Sequence, residues 1–198
     1  MSKTVVWALV GMAIALLLAF SLNALAASTG ANLGFSGWFF PVMIGLFVAY
    51  IGGNLAGNRR TPKASAEARA KALALTAEPD AALLVVFREG FMGKAAGMNV
   101  ALDGREFAQL KSPRFTAIRI APGSHTLRVA FGGLAGPQNN AGEEVFSVAV
   151  GQVAVFRATL AMGALKNTIR LEAVGDDLDW VRGRLERMPM TAPDSGQA

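Results

Sequence analysis

The chain has 198 residues, a mass of 20.7 kDa and a formal net charge of +5 at pH 7. Hydrophobic residues make up 53% and charged residues 17%, with a mean hydropathy of +0.38, so part of the chain is suited to lipid rather than water. Cysteine is absent and His125 is the single histidine. That excludes disulfides, thiolate zinc sites, cysteine-held iron–sulfur clusters and a multi-histidine metal site within one chain.

Residues 4–27 contain no charge and are dominated by Val, Leu, Ala, Ile and Phe. A helix needs about 20 such residues to cross a hydrocarbon core about 30 Å thick. A second uncharged run covers 38–57, and the Gly/Ser/Asn-rich stretch 28–37 between them reads as a turn. The pattern predicts a two-span helical hairpin over 1–57. A competing reading takes Lys3, the first apolar run and Ala24-Leu25-Ala26 as a cleaved signal peptide. Its core is longer than usual for that role, and a second span follows at once.

Orientation follows from the cations. Lys3 precedes the first span; Arg59, Arg60 and Lys63 follow the second; the connecting loop has no Lys or Arg. The positive-inside rule predicts both termini and the soluble region on the cytoplasmic side of the membrane, with the short loop outside. Trp38, Phe39 and Phe40 fall at the outer interface, where aromatic side chains concentrate. Arg59, Arg60 and Lys63 fall at the inner one and suit anionic lipid.

Both spans carry small residues at every fourth position. These are Gly11, Ala15 and Ala19 in the first, and Gly45, Ala49, Gly53 and Gly57 in the second. Such stripes let helix backbones approach closely. The two stripes either face each other or leave one for a partner's helices. Neither span holds an ionisable group, which argues against an ion or proton pathway.

Residues 58–80 read as a linker. Its alanine-rich segment favours helix, and its weak apolar face predicts a spacer rather than a core helix. From residue 81 the pattern turns to short β-branched runs, with strands expected at 83–88, 98–103, 105–110, 116–121, 125–131, 145–150, 153–160 and 167–174. Asp103-Gly104 is a two-residue hairpin signal. The spacing predicts a small antiparallel β-sandwich over 81–174 with about seven or eight strands. Residues 176–188 read as a short amphipathic helix with acids first and arginines last; the tail from 191 reads as disordered.

Asn99-Val100-Ala101-Leu102-Asp103-Gly104-Arg105, followed by Ile120-Ala121-Pro122-Gly123-Ser124-His125-Thr126-Leu127, resembles the hairpin-and-return pattern of PEGA-like bacterial β-domains. The resemblance implies a small sandwich tethered to a membrane or envelope and without catalytic activity. Ala121-Pro122-Gly123-Ser124 stands where that family has its Pro-Glu-Gly-Ala turn.

Side chains suited to chemistry are few and scattered. His125 shares a strand face with Leu127, Val129 and Phe131 and reads as structural. Arg88, closing the first strand, is expected to neutralise a carboxylate at the sheet rim. Gly90-Phe91-Met92-Gly93-Lys94 lacks the glycine spacing and the Ser/Thr of a phosphate loop. The cations are too scattered for nucleic acid. No catalytic residue, cofactor, metal or small-molecule substrate is expected.

The expected fold is therefore a membrane-anchored all-β protein: a helical hairpin, a sandwich and a short C-terminal helix. The expected role is a non-catalytic accessory subunit of an integral membrane protein complex of photosynthetic, respiratory or secretion type. Phe91, Met92, Leu134, Asn139 and Asn140 lie in two uncharged loops and are its candidate partner-binding residues. The alternative is a free-standing tethered domain that binds a soluble ligand or peptide.

Overall fold

A computed structural model describes residues 1–194. The chain divides into two compact units, one of residues 1–57 with 133–135 and one of 58–132 with 136–194.

The first unit is a helix pair. α1 spans Lys3–Ser28, with Ser2 as its N-cap accepting from the Val5 amide. α2 spans Ser36–Leu55, with Pro41 near its start. Both are long and apolar enough to cross a membrane. Glycine sets their separation. A Cβ on Gly11 would stand 2.3 Å from the Gly45 carbonyl oxygen, and one on Gly45 would stand 2.4 Å from that of Gly11 and 2.7 Å from Ala15 Cβ. The two small-residue stripes therefore face each other here. Gly52 makes room for the Trp7 indole, whose Cδ2 would lie 2.1 Å from an added Cβ. At the far end Asn23 Nδ2 donates to the carbonyls of Ala19 and Gly37, at 2.8 and 3.1 Å. In the same unit the Leu134 amide donates to the Gly53 carbonyl.

The second unit holds nine strands in two sheets. The first sheet has the order β4-β1-β8-β9-β6, the second β3-β2-β5-β7. The strands are β1 Ala82–Arg88, β2 Met98–Leu102, β3 Arg105–Leu110, β4 Arg114–Ile120, β5 Gly123–Phe131, β6 Asn139–Asn140, β7 Gly142–Val148, β8 Val153–Ala161 and β9 Asn167–Ala173. A purely antiparallel sandwich is not what forms. β1 pairs parallel with β8, and β6 parallel with β9. The cause is the chain's path: it leaves for the second sheet between the strands it later lays beside β1, and returns in the same direction.

β1 is buried on both faces. Leu84, Val86 and Arg88 alternate with Val85 and Phe87. The second set packs with Phe115, Ala117 and Val155 under two helices, α3 (Ala66–Leu73) and α4 (Leu178–Leu185). The expected free-standing spacer is thus corrected. Ala72 and Leu75 are buried in this cluster beside Val181, Leu185 and Met188. Arg69 Nη2 donates to the Glu186 carbonyl at 2.7 Å, and Arg182 Nε to that of Leu73 at 3.2 Å. α4 is shorter than the expected helix; Asp177 caps it by accepting from the Trp180 amide at 2.9 Å.

The tail expectation also changes. The Thr191 amide donates to the Phe115 carbonyl and the Asp194 amide to that of Phe107. Phe107 is available because the β2–β3 register shifts between Val100 and Ala101, leaving it as the extra residue of a bulge. Residues 195–198 of the expected disordered tail lie outside the described residues.

Replacing Gly45 with Leu should separate the helix pair and lower its thermal midpoint in detergent, with an overpacking cost of about 1–3 kcal/mol. An unchanged midpoint would show that the close approach carries no stability.

Candidate interaction surfaces

Arg88 ends β1 on the face turned toward the second sheet. Its side chain is 1% exposed. The expected carboxylate partner is not there. Instead Nη1 donates to the carbonyls of Ala96 and Leu110, and Nη2 to that of Gly93 at 2.7 Å. The guanidinium also lies 5.2 Å from the centroid of the Phe131 ring. Burial lowers its pKa to about 10. The planar fork of donors reaches several carbonyls at once, which an ammonium cannot do in one geometry. Arg88 thereby pins residues 90–97, a segment with no ladder of its own. Ser112 Oγ adds a bond to the Gly90 carbonyl at 2.6 Å. The pinned loop exposes Phe91 and Met92, with Lys94 Nζ 4.8 Å from the Phe91 ring centroid.

The same loop receives residues 58 and 59. Asn58 Nδ2 donates to the Ala95 carbonyl at 2.9 Å, and its Oδ1 accepts from the Gly97 amide at 2.6 Å. The Arg59 amide donates to Gln109 Oε1 at 2.7 Å. Gln109 fits because Gly97 has no side chain; a Cβ there would stand 2.4 Å from the Gln109 carboxamide carbon. The Arg59 guanidinium pairs with Glu106 and Asp194 at 3.2 and 3.3 Å. Arg59, expected at the membrane interface, is thus engaged within the β unit. Arg60 and Lys63 are exposed.

At the other end of the sheets, the two sequence motifs meet. Asp103 and Gly104 have φ of 50° and 80°, the left-handed pair of a type I′ turn. That turn aims the Asp103 carboxylate at β5. It accepts from the Thr126 amide at 2.8 Å and contacts His125 Nδ1 at 2.7 Å. His125 Nε2 lies 2.8 Å from the Ala121 carbonyl. Burial opposes charge on His125, but the Asp103 and Ala121 contacts outweigh it and raise its pKa. The His125 hydrogen bond, then the Thr126 amide, hold Asp103 below the usual carboxylate range. With both ring nitrogens committed to the protein, His125 ties two turns together.

A groove of about 380 Å³ lies between α3, the β4 edge and the C-terminal segment. Ala72, Ile118, Met190 and Pro193 give it an apolar lining. Lys71, Glu78, Arg119 and Asp80 form a chain of ion pairs at 2.6–2.8 Å at its rim. β4 is an edge strand. The outward amide and carbonyl of Phe115 are taken by Pro189 and Thr191.

The sequence-predicted residues distribute unevenly. Gly11, Ala15, Gly45 and Ala49 come together between α1 and α2. Ala19 is buried, Gly53 faces Leu134, and Gly57 lies near Gly133. Trp38, Phe39 and Phe40 remain exposed and cluster with Phe20 and Phe35 through ring contacts of 5.2–5.7 Å. Leu134, expected at a partner surface, packs on Gly53. Asn139 and Asn140, expected in an open loop, form β6: Asn139 Oδ1 accepts from Asn167, and Asn140 Nδ2 donates to Thr168. Their amide side chains pair with a strand nearly thirty residues away, which no local pattern announces. The contacts of Asn58, Gln109 and Trp7 are likewise to residues far along the chain. Asn23, a polar residue inside an apolar run, was a visible signal.

No family model matches the chain, and no curated protein matches it. Among solved structures, an NMR structure of a protein from Eubacterium rectale is similar to 50% of this chain and 94% of its own, at 10% identity and a TM-score of 0.32. A likeness at that level carries no argument.

Arg88→Met should destabilise the β unit by about 3 kcal/mol, because three carbonyls lose a charged donor. Denaturant midpoints and proteolysis within residues 90–97 would check it; a wild-type midpoint would remove Arg88 from this role. The pH response is a separate expectation. The Asp103 contribution is complete above its ordinary value of 3.8 and is lost as pH falls through its lowered pKa; the His125 contribution is complete below 6.5 and is lost as pH rises through its raised pKa. Their pairing thus helps most between about pH 4 and 6.5. Asp103→Asn should remove that excess, so its stability deficit should be larger at pH 5.5 than at pH 8.5. An equal deficit at both would refute the coupling.

Proposed function

We propose that this protein is a membrane-anchored, non-catalytic accessory subunit. The helix pair holds it in a bacterial inner membrane, and the β unit works on the cytoplasmic side within a larger integral membrane complex. The observation that carries the anchor is the outer surface of α1 and α2. Leu17, Phe20, Leu46 and Phe47 are all about 60% exposed or more, and Trp7, Met12, Val42 and Ile44 are exposed beside them. Facing glycines consume the small side chains inside the pair and turn the large apolar ones outward. Water does not tolerate an apolar surface of that extent; lipid or a partner's helices do.

The subunit reading is supported by the absence of charge from residue 4 to 57, by the aromatic cluster at one end and by Arg60 and Lys63 after the other. His125 and Arg88, the side chains a chemist would try first, are committed to internal bonds. A photosynthetic, respiratory or secretion complex would suit such an anchor equally. A second reading, a tethered domain that captures a soluble ligand or peptide, is favoured by the groove beside β4.

Purification from native membranes through a C-terminal tag in mild detergent separates the two. An integral membrane protein recovered at constant ratio is expected. A lone monomer or homo-oligomer would overturn the subunit reading and move attention to the groove.

A further inference from the structure

The geometry points to a second membrane contact, formed by residues 90–97 and by the turn 162–166 between β8 and β9. In it Phe91 and Leu165 enter the interfacial layer of an anionic bilayer, and Lys94 and Lys166 meet lipid phosphates. This rests on the membrane anchoring proposed above and adds a surface of the β unit to it.

Four observations converge. First, the two segments lie at one end of the sheet. β1 and β8 are parallel, with Arg88 opposite Ala158, so the chain leaves both strands in the same direction. A Cβ on Gly93 would lie 3.5 Å from Leu160 Cδ2, which places the loop against the last residues of β8. Second, their apolar tips face solvent: Phe91 is 80%, Met162 76% and Leu165 99% exposed. Third, the charges are of one sign. Between them the segments contain Lys94 and Lys166 and no acid; Glu89, which borders the loop, is paired with Arg157 at 3.3 Å. An apolar tip flanked by lysines is the composition that sits in a headgroup layer, stem in the apolar boundary and ammonium at the phosphates.

Fourth, the loop cannot be far from the end of α2. Leu55 ends the helix and Asn58 is bonded to Ala95 and Gly97. Three residues of chain span at most about 11 Å. That limit holds for any orientation of the two units. Arg88 has already ordered the loop, so contact with lipid costs it little conformational entropy.

The chain has no cysteine, so single substitutions report single places. Full-length protein would be labelled with an environment-sensitive fluorophore at Met92→Cys, at Ala164→Cys, at Phe47→Cys within α2 and at Val150→Cys at the opposite end. It would be reconstituted in phosphatidylcholine vesicles with and without phosphatidylglycerol. The labels at 92 and 164 should shift to the blue by at least half the shift at 47, and more so with phosphatidylglycerol; the label at 150 should remain water-like. Phe91→Ser with Leu165→Ser should abolish the shift. Lys94→Glu with Lys166→Glu should remove most of its dependence on phosphatidylglycerol. If 92 and 164 match 150 while 47 is in lipid, the contact does not exist, the anchor stands, and the loop is free for a protein partner. A water-exposed label at 47 would overturn the anchor, and this contact with it.

Discussion

A guanidinium sealed between two sheets has to be solvated by the protein itself. Arg88 meets that constraint with backbone carbonyls and one aromatic ring rather than a carboxylate. Much else depends on it. A buried cation left without acceptors would cost several kcal/mol. Residues 93 and 96 must therefore curl back over the end of β1, and β3 must end with its Leu110 carbonyl turned inward. The loop so formed offers Ala95 and Gly97 to Asn58, and the chain from α2 joins the β unit there. A charge that looks misplaced on an apolar strand fixes where the β unit begins.

The helix pair depends on absence rather than on a bond. Gly11 and Gly45 approach so closely that neither position has room for a methyl group. Contact between helix backbones and a few polar staples such as Asn23 hold the pair together, a mode of packing that also serves where burying apolar side chains gains nothing. The same economy of side chains leaves the outer surface mostly apolar. The exposed apolar surface follows from how the inside is packed.

In the β unit, strands were legible where turn chemistry was strong. Asp103-Gly104 gave β2 and β3 within a residue, because a type I′ turn admits few alternatives. β7 was displaced: 145–150 was expected and Gly142–Val148 forms, since β7 is mostly exposed and its alternation is weak. The linker helix was legible as a helix but not as part of the core. Its buried contribution is one alanine and Leu75, too little for periodicity to reveal. The tail looked disordered because its bonds run to the carbonyls of Phe115 and Phe107. Those acceptors exist only once an edge strand and a bulge have formed.

By itself, the sequence determined the class of most segments. Charge-free runs, β-branched alternation and turn residues act over a few positions, and their physics is local. It determined that the helices could pack closely. Only the tertiary structure decided which stripe meets which, that β1 lies parallel to β8, and that Arg88 binds carbonyls. It alone joined Asp103 to His125, 22 residues away, and Asn58 to Ala95, 37 residues away. Such pairings are set by which buried polar groups still lack a partner when the sheets close, and that is a property of the assembled fold.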